Sequence, residues 1–211
     1  MKQICYYSVL LAVFFSLFFI SSCNKDDDSK QSANISSRKP VNDPDVETQT
    51  LNLNINCNRS AGYLDTVINA FSLDFHVNVY QYSGTYKDIS IYTGYVSDLY
   101  LQDEVVFKVG QRSDYFIPSF LEGYKIDTYE GAWNTIEGYS NSYGSIYTKN
   151  DGASFGFNGL GDRYFAFRKK TGGSYQYGYI KLNLSADANN LNIKSIAYCS
   201  ISNKTFYFGD Y

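Results

Sequence analysis

Two stretches of this chain alternate apolar and polar residues one for one, and that period limits what the chain can fold into. Leu51, Leu53, Ile55 and Cys57 fall on one side of the first stretch, with Asn52, Asn54 and Asn56 on the other. Phe71, Leu73, Phe75, Val77 and Val79 repeat the pattern against Ser72, Asp74, His76 and Asn78. Successive side chains of an extended strand point to opposite faces, so a period of two predicts strands with one buried face. A third alternation sets Gly178, Ile180, Leu182 and Leu184 against Tyr179, Lys181 and Asn183. Shorter strand candidates lie at 89–95, 99–101, 105–109, 155–157, 164–168, 191–200 and 205–208. Turn signals stand between them: Ser83-Gly84, Asn150-Asp151-Gly152, Gly159-Leu160-Gly161-Asp162, Gly172-Gly173 and Asn189-Asn190. Lys170-Thr171-Gly172-Gly173-Ser174 predicts a hairpin loop joining 164–168 to 175–185.

Helical spacing is weak everywhere; only 62–70 and 119–124 approach it. The 22 Tyr, 15 Phe and 16 Gly agree with pleated surfaces and turns. The expected fold is all-β: a β-sandwich or jelly-roll-like single domain over 46–211. Residues 130–150, rich in Gly, Ser, Asn and Tyr, fit either a long loop or a boundary between two small β modules. One domain is preferred, because either half of a chain cut near residue 140 would have a thin core.

The start of the chain has a different character. Lys2 and the amino terminus are positive, and 6–20 is apolar but for Ser8 and Ser16. That run is short for a membrane span, which needs about 20 residues, and suits the core of a signal peptide. Ile20-Ser21-Ser22-Cys23 then resembles the bacterial lipobox, an aliphatic residue and two small ones before a cysteine. The resemblance implies cleavage before Cys23 and a diacylglycerol on its thiol. It also implies a second acylation, such as by palmitate, on the new amino group. Several acyl chains together hold a membrane stably where one is marginal. Asn24-Lys25-Asp26-Asp27-Asp28 follows, and an acidic run in that place resembles the surface-export signal of Bacteroidota lipoproteins. Residues 23–45 otherwise carry Ser, Asn, Asp and Lys with Pro40 and Pro44, too little apolar side chain to offset ordering, so they predict a flexible tether.

A second resemblance lies at the other end. Gly161-Asp162-Arg163-Tyr164-Phe165-Ala166-Phe167 is followed by Tyr177-Gly178-Tyr179-Ile180-Lys181-Leu182, then Leu191-Asn192-Ile193-Lys194 and Ala197-Tyr198. This order resembles a C-terminal β module of uncharacterised extracellular bacterial proteins. Residues 155–211 carry the likeness, which speaks to fold and hardly to activity. The module's tryptophan is Tyr179 here, and its acidic Asp/Gly segment is replaced by the Asn-rich 52–58. Any calcium site in that segment would be lost.

Of 4 Cys, Cys5 leaves with the leader and Cys23 takes lipid, leaving Cys57 and Cys199. Export puts them in an oxidising compartment, and the first and penultimate strands of a sandwich can be neighbours, so a Cys57–Cys199 disulfide is expected. Two separate buried thiols are the alternative.

Signs of catalysis are few. His76 is the only histidine and sits at an outward strand position, which excludes a histidine-based metal cluster. Glu104, Glu122, Glu130 and Glu137 are candidates for a glycosidase pair, though nothing in the sequence brings two together. Asp151 and Asp162 are turn residues with a weaker claim to calcium. No nucleotide-binding or hydrolase motif is present. A net charge of −3, or −4 once Lys2 leaves with the leader, supplies no field for nucleic acid. Neither cofactor nor metal is called for.

Tyrosine is the residue in excess. Trp133, Tyr139, Tyr143 and Tyr147 cluster in the Gly/Ser/Asn-rich stretch and are the candidate binding aromatics; Tyr175, Tyr177 and Tyr179 share one strand face. The combined expectation is an outer-membrane lipoprotein, surface-exposed or facing the periplasm. Its β domain would be a non-catalytic binding module for a glycan or protein ligand. A structural module contacting envelope proteins and a glycan-active enzyme are the alternatives.

Overall fold

The computed structural model describes residues 39–82, 84–93, 99–102, 104–109, 112–116, 120–126, 133–134, 143–204 and 207–211. They belong to one compact unit, Ser36–Tyr211. The leader 1–22, Cys23 and the tether as far as residue 38 lie outside the described residues. The regular elements described are all strands: β1 (Val46–Asn56), β2 (Gly62–Ala70), β3 (Leu73–Tyr82), β4 (Tyr86–Thr93), β5 (Leu99–Gln102), β6 (Glu104–Val109), β7 (Arg112–Phe116), β8 (Trp133–Asn134), β9 (Tyr143–Asn150), β10 (Ala153–Gly156), β11 (Asp162–Thr171), β12 (Ser174–Leu184) and β13 (Asn190–Cys199).

They form two sheets. Sheet one runs β1-β13-β12-β11-β5-β8, and sheet two runs β2-β3-β4-β9-β7-β6 with β10 also beside β9. Pairing is antiparallel apart from the contact of β7 with β9. The sheets pack face to face as a β-sandwich. Phe75, Val77, Val79, Ile89 and Ile91 of sheet two meet Phe165, Phe167, Ile180, Leu182 and Ile193 of sheet one. Phe75 and Phe167 touch edge to face, ring centroids 5.0 Å apart.

The alternations place these contacts. Ile55 and Cys57 are buried between the sheets, with Leu51 and Leu53 packed on the same core. Leu73, Phe75, Val77 and Val79 line the inward side of β3. Phe71 and Ser72, with φ of 54° and 58°, make the two-residue turn between Ala70 and Leu73. Positive φ at both positions matches the twist of the flanking strands. The hairpin at 170–174 is tighter than expected: pairing persists to Thr171 and Ser174, leaving Gly172-Gly173 as the turn. Gly178 is required where it stands, because a Cβ there would lie 2.2 Å from the Phe167 ring and 2.6 Å from the Ala197 carbonyl.

Two expectations change. Residues 62–70 are strand, not weak helix: Thr66, Val67 and Ile68 are β-branched, and all nine residues pair with β3. Residues 143–150, read as loop or boundary, are a strand inside sheet two, paired with β4, β7 and β10. Ser145 and Thr148 of this strand are buried, yet both donate to the Asp88 carboxylate at 3.1 and 2.8 Å. Their polarity, satisfied by a partner remote in sequence, hid the strand.

Sheet one is covered on both faces. Tyr164, Ala166, Tyr177, Tyr179, Ala197 and Cys199 point away from sheet two into a second core, closed by Ile126, Trp133 and Phe208. The cover is hydrogen-bonded in place: Phe120 and Tyr164 exchange backbone bonds, and Phe208 N–H donates to Tyr124 O at 2.9 Å. Residues 41–45 are clasped alongside it. Asp43 N–H donates to Tyr211 O at 2.7 Å, Tyr211 N–H to Val41 O at 3.2 Å, and Ser200 N–H to Asp45 O at 3.1 Å. The Lys204 ammonium bridges Asp43 and Asp45 at 2.5 and 2.7 Å.

Candidate functional site

The structure redistributes the residues singled out from the sequence. Trp133 is 7% exposed and Tyr147 6%, so neither belongs to an open patch. Tyr147 is in the inter-sheet core. Trp133 packs on Tyr177, ring centroids 5.8 Å apart, and the Arg168 guanidinium lies 5.0 Å from its ring. Arg168 is itself buried and sits 3.8 Å from the Tyr175 ring, a cation held between aromatic faces. Tyr177 and Tyr179 are buried, and the Tyr179 hydroxyl donates to Asp210 O at 2.9 Å. Tyr143 pairs with Tyr92 in the sheet two ladder. Tyr139 lies outside the described residues. The expected aromatic binding patch is therefore corrected at Trp133 and Tyr147: Trp133 is buried in the second core against Tyr177 and Arg168, and inward strand register buries Tyr147.

The Cys57–Cys199 disulfide is also corrected. Cys199 pairs with Val46 at one end of the β1–β13 ladder, whereas Cys57 follows the Asn56–Asn190 pair at the other. At about 3.3 Å per residue the two lie about 30 Å apart, far beyond the reach of a bridge. They also occupy different cores, and both are free and buried. Burial pushes the Cys57 thiol up to about 11, against the lowering pull of Lys87. Burial raises Cys199 as well.

Metal ligation finds no support in the geometry at Asp162. Burial alone would raise its pKa, but hydrogen bonds from Lys194 and Asn183 and the charges of Lys194 and Lys181 hold the carboxyl below its usual range. Lys194 lies 2.6 Å away. Asp151 is in the exposed turn between β9 and β10. Among the described residues there is no cluster of three potential ligands. Of the four glutamates, Glu130 and Glu137 lie outside the described residues, Glu104 is on β6, and Glu122 is in an exposed turn.

The open surface lies elsewhere, on the outward face of β2 and β3; on the neighbouring β4 the outward Asp88 and Ser90 are buried. Strand register arranges it in rows. Tyr82 faces Tyr86; Tyr63 and Asp88 flank Tyr80; Asp65 and Ser90 flank Asn78; Val67 and Tyr92 flank His76. Tyr63, Tyr80 and Tyr82 are 57, 41 and 64% exposed, well above the buried tyrosines of sheet one. Beside them is a connected polar group. His76 Nδ1 lies 3.0 Å from Asp65 Oδ2, Tyr92 donates to the same oxygen at 3.2 Å, and Tyr63 is hydrogen-bonded to Tyr92. The His76 ring stacks on Tyr92 with centroids 4.6 Å apart. Burial, the bond with Tyr63 and the Asp65 charge all push the Tyr92 hydroxyl above the usual tyrosine range, so it remains a protonated donor.

His76 was legible as outward-facing; its partners were not, because Tyr63 and Asp65 belong to the stretch that resembled a helix. An Asp–His pair also occurs in hydrolytic triads, but the outward neighbours of His76 across the ladder are Val67 and Tyr92, neither of which is a serine or cysteine nucleophile. A second feature is an open polar cleft of about 290 Å³ lined by Asn56, Asn58, Arg59, Ser60 and Ala61.

No protein family, curated protein or solved structure matches this chain.

Proposed function

We propose that this chain is a lipoprotein anchored at Cys23 to the outer membrane and displayed at the cell surface, and that its sandwich is a non-catalytic binding module. The lipobox and the acidic run after it support the anchor. The observation that carries the binding reading is the contrast between buried and open tyrosines. The outer face of a half-solvated antiparallel sheet is ordinarily polar. Here β2 and β3 hold three tyrosines in the open beside a hydrogen-bonded polar group. Rigid aromatic faces next to fixed donors and acceptors suit recognition at low entropic cost.

Metabolic labelling with palmitate tests the anchor. The native chain should incorporate label and fractionate with membranes, and Cys23→Ser should do neither. The binding reading is tested by retention of the purified full chain on glycan arrays and on immobilised envelope proteins. Retention should fall when Tyr80 and Tyr82 are changed to Ala. No retention on either surface, or retention indifferent to both tyrosines, would refute it.

A further inference from the structure

We infer that the outward face of β2–β4 is a binding site for a neutral glycan chain; this rests on the binding-module reading and names its ligand class. A sugar ring presents two chemistries, a flat apolar side of C–H groups and a rim of hydroxyls. The face presents the complements of both, side by side. Tyr63 and Tyr80 stand directly opposite each other on neighbouring strands, and Tyr82 lies one row further along β3 beside Tyr86. These rings offer the platform. The next rows hold Asp65, His76, Asn78 and Tyr92, which supply acceptors and donors for hydroxyls. Rows two residues apart are about 7 Å from one another, so four rows extend over about 20 Å, a length suited to a short oligosaccharide rather than to one ring.

The polar group is held ready. Asp65 is fixed by His76 Nδ1 and by the Tyr92 hydroxyl, and with Nδ1 committed to the carboxylate, Nε2 is the nitrogen a ligand hydroxyl can meet. In the row between the tyrosines and His76, Asn78 Oδ1 and Ser90 Oγ are buried with no hydrogen-bond partner among the described residues. Ser90 is almost wholly buried. Both atoms are closed to solvent, so a ligand on these rows meets Asp65, His76 and Tyr92 instead.

Charge selects among glycans. The strands β2–β4 expose Asp65 and Asp74 on this face, Asp88 is buried with Ser145 and Thr148, and their single lysine, Lys87, turns inward to the Ala188 carbonyl at 2.6 Å. A face with carboxylates and neither lysine nor arginine repels uronic-acid and sulfated chains and accepts neutral ones.

The test is a panel of neutral gluco-, manno-, galacto- and xylo-oligosaccharides beside uronic-acid and sulfated oligosaccharides, titrated against the purified full chain. At least one neutral oligosaccharide should bind, and the anionic ones should not. Tyr82→Ala should weaken binding about tenfold, equivalent to 1.4 kcal/mol. Tyr63→Phe, which keeps the ring and removes only a hydroxyl, guards against loss through misfolding and should weaken it less. Leu160→Ala, at an exposed site in the turn preceding β11, should leave binding unchanged. Binding of anionic oligosaccharides alone, or of none, overturns the inference. A photo-crosslinker at position 82 separates the two failures. With no glycan bound, crosslinking to one envelope protein overturns the glycan assignment and leaves the binding module standing; no crosslink overturns both.

Discussion

The two outer faces of the sandwich are built from the same residue and have opposite fates. On sheet one, Tyr164, Tyr177 and Tyr179 are sealed under Phe208, Ile126 and Trp133. On sheet two, Tyr63, Tyr80 and Tyr82 meet solvent. Tyrosine alone therefore decides nothing about function. What decides is whether another segment comes back over the ring, and on sheet one Ile126 and Phe208, from outside the named strands, do so.

The largest expected effect breaks the covered face. Phe208 is fully buried, stacks on Phe120 with ring centroids 4.8 Å apart and packs at a tilt against Tyr164 at 5.8 Å. Phe208→Ala should cost about 3–5 kcal/mol of stability, measured by chemical denaturation. A loss below about 1 kcal/mol would mean the cover contributes little beyond a surface loop.

Tyr179→Phe removes a single hydroxyl from the same core. It deprives the Asp210 carbonyl of this donor and should cost about 1–2 kcal/mol. An unchanged midpoint would show that the hydroxyl is replaceable there.

The cysteines sharpen the comparison, since Cys57 lies between the sheets and Cys199 under the cover. Both should resist alkylation at pH 8 in the native chain and react on unfolding. In Phe208→Ala, Cys199 should become reactive first. The raised Cys57 pKa has a definite sign: between about 9 and about 11 the native thiol keeps a proton that the unfolded one loses. Stability should be unaffected by this group below pH 9 and fall as pH rises through that window. Cys57→Ser should flatten the fall; if the alkaline slope is the same in that variant, another group causes it.

The smallest effect belongs to the open face. Tyr82→Ala should change stability by less than about 0.5 kcal/mol while weakening ligand retention. A large loss of stability would mean that this ring supports the fold.

Much of the fold was readable where one face alone is buried, as in β1 and β3. It was hardest to read where that condition fails. β11 was legible only over 164–168, short of its full Asp162–Thr171, because both sides of Tyr164 to Arg168 are covered and the strand shows no period of two. β9 conceals its nature behind Ser145 and Thr148, whose partner Asp88 lies on β4. The cysteine error arose at the level of register: alternation assigns a residue to a face, but only the ladder says which end of the strand it occupies. The site was half visible. His76 stood out as the lone histidine on an outward position, whereas its junction with Asp65, Tyr63 and Tyr92 needs three strands aligned.

The clasp of residues 41–45 onto Ser200, Lys204 and Tyr211 has a mechanical meaning. If the chain is anchored at Cys23, as proposed, drag on the sandwich would reach this clasp before the β1–β13 ladder. Its hydrogen bonds and the Lys204 bridge are spread over several residues, so the attachment does not depend on one bond. Under the proposed anchor it would act as a strain relief, keeping the edge strand β1 seated.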